Sequence, residues 1–423
     1  MFEKIKKKLS FKILKWDPKN IHDSIVPILI LNWITGLNIF EYPLSKPRPA
    51  FTFIYVLLLN FSYWFFGFSA RHVTSQGETQ IGKNVYVLIV YVNVFIGTSS
   101  ILIGWYHYKA FKANIQRLES LDEALEYLGL PNKYREIFIN AVRKVIIWVI
   151  VIIILIYYDL NLFLSKYDLH TSLNLIYLFH FPLHLNSVVD FTFSSLVTCL
   201  GRRFANINSL LKRTLPIYDE IESVREVFPK YSKVHVLMAS KEFNINFNDN
   251  SKQLKVLVLV RYLHMELSKI SWELNRIYGK QMMMKMGAHF IIITGLSYNL
   301  FTYLFFVNES LNDKNGSVVS TTIWFAVYCF RFLQINSTCA KVTTEARKTR
   351  SILFELKNSN RDKAIIEEIE EFSLQLTQRP LAFSTGLNTL DYAFVRTFIG
   401  SVTTYLVLLI QFSPEIRKCE RIR

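Results

Sequence analysis

His180 and His184 stand four residues apart in a long apolar run. On a helix that spacing puts both imidazoles on one face, one turn apart. Such a pair suits a metal ion. A metal wants at least a third ligand, and none is placed beside them; Pro182 lies between the two histidines. The expectation is no metal and no cofactor. Asp190 follows in the same run, and Arg331 and Arg396 lie in two other apolar runs. A charge in hydrocarbon is costly, so these groups should face protein or water. Two readings of Asp190 stay open, an ion pair with an arginine or the lining of a water-filled cavity. Enzyme chemistry leaves no mark: GxSxG, a phosphate-binding P-loop, HExxH and CxxC are all missing, so the chain is not expected to be an enzyme.

Aromatic and hydroxyl residues cluster toward one end of several runs. They are Tyr86 and Tyr91, Tyr157 and Tyr158, Tyr177 with the two histidines, Tyr298 and Thr302, and Trp324 with Tyr328. Together they could line a pocket for a small molecule bearing ring faces and hydroxyls. The interfacial aromatic belt of membrane proteins is the other reading.

The elements that must position these groups follow from composition. Of 423 residues, 51% are apolar and 15% aromatic, while 19% are charged; soluble domains carry about 25%. Mean hydropathy is +0.23. Fourteen glycines, eleven prolines and four cysteines exclude collagen, low-complexity disorder and a disulfide scaffold. An all-α polytopic membrane protein remains. A spanning helix needs about 20 apolar residues. Seven runs qualify: 51–70, 85–105, 145–164, 173–200, 286–306, 319–340 and 392–412. Pro182 suggests a kink in the fourth. An eighth stretch, 25–40, is interrupted by Asn32, Thr35, Gly36 and Asn38. It reads as a half-inserted pre-helix rather than a span.

Charge orients the spans. Segments 1–50, 106–142, 201–284 and 343–391 carry 35 lysines and arginines, and the opposite segments 71–82, 165–172, 307–318 and 413–423 carry 7. The positive-inside rule then puts the N-terminus in the cytosol and the C-terminus outside. The resulting division is a cytosolic arm with the pre-helix (1–50), spans one to four (51–200), a cytosolic helical segment (201–284), spans five and six (285–342), a second cytosolic helical segment (343–391), the last span (392–412) and an extracellular tail (413–423). Asn308 and Asn315 head glycosylation sequons in the outer loop after span five. The lysine-rich first 16 residues lack a signal peptide's apolar core. They read as a basic arm on an anionic leaflet or as a solvated tail. Stripes such as Leu118, Leu121, Leu125 and Leu128, or Ile365, Ile369, Phe372 and Leu376, mark amphipathic helices in the inner segments. These form either an assembly domain beneath the membrane or extensions packed inside one subunit.

The last span reads Thr404-Tyr405, five apolar residues, then Gln411-Phe412. This resembles the signature of insect gustatory receptors at every position. Gly386, Leu390-Asp391, Ile399-Gly400 and Thr403 before it fit as well, as do Glu345 and Thr349 further back; Leu387-Asn388 departs from the aromatic-rich version. The firm resemblance covers about 70 C-terminal residues. It implies a ligand-gated, non-selective channel for Na, K and Ca ions in the plasma membrane of sensory neurons, on dendrites and also soma or axon. The channel would be a homotetramer, or a heterotetramer with other gustatory receptor subunits, with no nucleic acid as partner and membrane lipid around it. The last helix of each copy would line the pore through Ser401, Thr404, Tyr405, Leu408, Gln411 and Phe412. The cytosolic extensions would form the assembly, or anchor, domain. The small-molecule tastant would bind within each subunit among the aromatic ends of spans two to six. Leu406 stands where sugar-type members carry an acid after the Thr-Tyr pair, so a bitter or plant-derived tastant is put first and a fructose or other sugar second. A G-protein-coupled receptor needs the opposite orientation and lacks its motifs here. A transporter would show internal repeats and more membrane-centred charge.

Overall fold

The computed structural model describes residues 17–41, 46–74, 80–131, 133–213, 250–305 and 311–412, with side chains left out for 67–74, 80–86, 250–252 and 311–315. Among the described residues ten helices occur in order: α1 (Ile21–Ser24), α2 (Val26–Ile34), α3 (Pro49–Thr74), α4 (Gln80–Tyr127), α5 (Tyr134–Leu164), α6 (Leu169–Arg213), α7 (Asn250–Phe305), α8 (Leu311–Ser359), α9 (Lys363–Gln378) and α10 (Tyr392–Gln411). Extended pairing among the described residues is confined to two isolated bridges, Glu41 with Pro47 and Ser384 with Thr389. The fold is all-α, and seven helices (α3 to α8 and α10) are long and apolar enough to cross a membrane. The expected tail 413–423, the arm 1–16, Asn308, Cys419 and the side chain of Asn315 lie outside the described residues, as does 214–249 of the inner segment.

Several rods are far longer than a bilayer. The 48 residues of α4 rise about 72 Å against a hydrocarbon core of about 30 Å. The amphipathic stripes of α4, α6 and α7 are therefore continuous with the spans, while α9 is a separate helix. Leu118, Leu121 and Leu125 on α4 and Leu128 just past its end are buried, as are Phe204, Ile207, Leu210 and Leu211 on α6 and Leu257, Leu263, Leu267, Ile270 and Leu274 on α7. α9 adds Ile365, Ile369 and Phe372. These stripes fill one another within a single chain.

The pre-helix is short. α2 has nine residues, about 14 Å of rise, too little to cross. It starts with Pro27 in its first turn, where the missing N–H costs nothing. The carbonyl of Leu37, just past it, lies so close to Gly104 that a Cβ there would sit 2.2 Å away. Glycine is what lets this segment dock on α4. Asn32 reinforces the seat with a 2.8 Å bond to Thr192 of α6, while Ile30 and Ile34 point outward.

Burial runs against hydrophobicity. α6 packs on α3, α4, α5, α7 and α8. The spanning window of α6 is 78% buried, against 11% for α5, whose Ile146, Ile147, Ile150, Ile153 and Ile154 face outward. In a bilayer the polar positions are the ones that must be covered. Pro182 leaves α6 unbroken. It has no N–H for the Leu178 carbonyl, and the Tyr63 hydroxyl of α3 donates to that carbonyl instead at 3.2 Å.

Candidate functional site

Two polar centres lie along the buried face of α6, and a third, aromatic centre joins α10 to its neighbours. The first joins α5, α6 and α8 around Asp159. Its carboxylate accepts from His180 Nε2 at 2.9 Å, Ser320 Oγ at 3.2 Å and Trp324 Nε1 at 3.1 Å. With Nε2 donating, a neutral His180 offers Nδ1 as acceptor, and His184 Nε2 lies 3.2 Å from it. The Trp148 ring meets His184 edge-on, and His180 meets Trp324 in the same way. Asp159 thereby sets the tilt of one indole and two imidazoles. Sequence reading missed it, although an acid within an apolar run is the signal that singled out Asp190. Among the described residues no cluster of three or more histidines, cysteines or acids could hold a metal.

The second centre is ionic. Asp190 pairs with Lys285 of α7 through one oxygen and with Arg331 of α8 through the other, at 2.9 and 2.6 Å. Lys285 also donates to the Asn186 carbonyl. The ion-pair reading of Asp190 holds, with a second cation that the sequence left at the edge of a span. Two cations share one carboxylate, so the cluster carries an excess positive charge. Arg331 also lies over the Tyr328 ring at 5.3 Å, and the Tyr328 hydroxyl accepts from Asn93 at 2.8 Å.

The remaining aromatic positions separate. Tyr177 bonds Ser62 at 3.0 Å and packs on Tyr63, Phe66 and Phe181 between α3 and α6. The Tyr158 hydroxyl reaches the Gly316 carbonyl at 3.4 Å. Tyr298 and Thr302 are buried, and the Thr302 hydroxyl bonds the carbonyl of Tyr298 on its own helix. Tyr91 and Tyr157 are exposed on the outside of the chain. The side chain of Tyr86 lies outside the described residues.

The third centre is where α10 meets α7 and α8. Phe398 stacks on Phe332 with centroids 3.9 Å apart and meets Phe290 edge-on at 6.0 Å. Phe394 packs on Phe332, and Tyr405 on Phe290. The opposite side of α10 is open and bears Gly400, Thr403, Thr404, Val407, Leu408 and Gln411. Ser401, Thr403 and Thr404 each donate their hydroxyl proton to the carbonyl one turn back, at 2.9 to 3.0 Å. Their oxygens therefore present lone pairs outward, which suits a passing cation rather than an anion. Phe412 is the C-cap of α10.

The segment leading into α10 has a local physical logic. Gly386 takes a left-handed φ of 91° in the turn. Leu390 is buried, and Asp391 caps the helix by accepting from the Phe394 N–H at 2.9 Å. That bond, with help from the Thr389 hydroxyl, holds the Asp391 carboxyl below the usual carboxylate range. Glu345 and Thr349 converge on Asn208 of α6, which donates to Glu345 Oε1 at 3.0 Å and accepts from Thr349 at 2.7 Å.

A model of the 7tm chemosensory receptor family matches residues 27–416. The chain belongs to that family. This 7tm chemosensory receptor is 22% identical over 226 residues to a Drosophila melanogaster protein provisionally named gustatory receptor 28b, a match covering 52% of this chain and 47% of that one. It is 29% identical over 125 residues to the gustatory receptor for sugar taste 43a of the same fly, 29% of each chain. These matches span about half or less of the relatives' length. Its fold is that of the insect olfactory receptor OR5 from Machilis hrabei, solved alone and in complex with eugenol: TM-scores are 0.59 and 0.58 at 14% identity, and the eugenol complex matches over 93% of this chain and 99% of that one. The family is one of receptors, not enzymes, and this member is a multi-pass membrane protein.

Proposed function

We propose that this receptor is a ligand-gated, non-selective cation channel of the plasma membrane, built from four subunits whose α10 helices surround one pore. The observation that carries this reading is the open face of α10. Two threonine hydroxyls, a glycine and an amide line a side that no other described part of the chain covers, with Ser401 at its edge. In contact with lipid those groups would serve nothing. Around an axis they make a path for partly hydrated Na, K and Ca ions. Leu408 and Gln411, three residues apart, give an apolar ring beside an amide ring. The apolar ring gates by dewetting.

The tastant binds on the α6 face around Asp159, His180, His184 and Trp324, and opens the pore to the extent that it favours the open arrangement. The aromatic clamp from Phe290 and Phe332 to Phe398 connects α7 and α8 to α10. A plant-derived or bitter compound with ring faces suits this lining. A sugar is the second reading, favoured by the similarity to the sugar-taste relative and by the density of hydrogen-bonding groups around Asp159. The N-terminus is cytosolic in this reading, as the charge distribution requires.

The test is ligand-evoked current in cells expressing this chain, with Gln411→Ala beside it. The expected result is altered conductance or ion preference at unchanged surface expression. Unchanged permeation removes Gln411 from the pore. A calcium-imaging screen of sugars against plant alkaloids separates the two ligand classes.

A further inference from the structure

A cavity of about 220 Å³ opens beside the pre-helix, at the end of the bundle where the long helices project. α1, α2 and α4 form it, well away from the Asp159 centre and from α10. One wall is apolar and aromatic, from Leu29, Trp33, Phe111 and Ile115; the other carries Asp23, Glu41, Glu119, His22 and Lys112.

The charges do not balance. Glu41 is covered: it accepts from Tyr108 and has Lys112 and His22 each at 3.7 Å. Among the described residues Asp23 and Glu119 accept only backbone N–H bonds, from Lys19 and His22, both at 3.4 Å. Among the described residues neither has a cation within ion-pair distance. Two carboxylates thus face a cavity whose lysine is already engaged, in a chain with a net charge of +16. A metal ion is a poor occupant, since among the described residues no three acids or histidines converge as metal ligands.

A smaller cavity of about 30 Å³ adjoins the first, sharing Asn38 and Phe111. Ser100 lines it, and its hydroxyl is fully buried with no partner. Buried polar groups normally find one. The space is enough for one water or one polar group of a ligand.

We infer that the pre-helix cavity is a binding site for an organic ammonium ion, held between the Trp33 ring and the Asp23 and Glu119 carboxylates. Aromatic faces and carboxylates together are what an ammonium group selects. The size fits an ethanolamine group with room for its substituent. Ile30 and Ile34 turn the other side of α2 outward, so the source is either the amine of a phospholipid headgroup or a free amine. The inference is independent of the pore and of the tastant.

The experiment uses the purified full chain in nanodiscs. One arm compares retention of phosphatidylethanolamine and phosphatidylglycerol by native mass spectrometry. The other measures Tm with added ethanolamine. Wild type and the double variant Asp23→Asn/Glu119→Gln are compared, with Trp33→Leu as a second variant should the first fail to fold. Preferential retention of phosphatidylethanolamine, reduced at least fivefold in either variant, supports the site and assigns it to lipid. A Tm rise with ethanolamine, lost in either variant, supports it and assigns a free amine. Equal retention of both lipids with no ethanolamine response overturns it. So does a variant that folds and behaves as wild type in both arms.

Discussion

α6 and α10 both cross the membrane and both carry polar side chains, yet they meet opposite surroundings. The spanning window of α6 is 78% buried and that of α10 is 11% buried. On α6 the buried charged groups find partners on other helices: Asp190 takes two cations, His180 takes Asp159 and Arg203 takes Asp122. On α10 the hydroxyls bond only their own helix backbone. Groups paired across helices hold a bundle together. Groups satisfied within one helix leave its outer face available, as the proposed pore requires.

The largest expected effect tests the α6 side. Asp190→Asn strands Lys285 and Arg331 without a carboxylate, and breaking a buried pair costs about 3–5 kcal/mol. Little monodisperse receptor should survive size exclusion. Lys285→Met leaves the Asp190–Arg331 pair neutral and should cost clearly less. The reverse order would break the view that this cluster holds excess positive charge.

Phe398→Ala comes next. It removes the ring stacked on Phe332, a loss of about 3 kcal/mol for a buried phenylalanine. Tm should fall, and ligand sensitivity should fall with it if the clamp couples α7 and α8 to the pore. Asp391→Ala removes the α10 cap and should cost about 1 kcal/mol. The folded carboxyl titrates below its unfolded range. Its contribution is therefore present at neutral pH and fades as pH falls through the depressed value. The Tm gap between wild type and variant should hold at pH 7 and pH 5 and shrink below about pH 4.

The smallest effect on stability sharpens the contrast most. Leu408→Thr lies on the open face and should shift Tm by no more than the equivalent of about 0.5 kcal/mol. A wetted constriction should nevertheless pass current without ligand. A large loss of stability with no leak would instead mean that this face is packed.

Much of the fold was legible as runs of apolar residues, because a bilayer demands about 20 of them per crossing whatever the neighbours are. The cost of charge in hydrocarbon likewise marked Asp190 and Arg331 as partnered or wet. The inner stripes were legible too, but not their continuity with the spans, since periodicity is the same on either side of a membrane boundary.

Order along the chain determined the seven spans, the broken pre-helix and the family signature around Thr404 and Gln411, since each is a local pattern of solubility or turn chemistry. Tertiary structure alone decided that Asp190 takes Lys285 as well as Arg331, that Asp159 orients His180 and Trp324, and that Tyr63 serves the carbonyl freed by Pro182. Those partners lie from 21 to 165 residues apart. What selects them is which helix faces meet, and no window of sequence contains that.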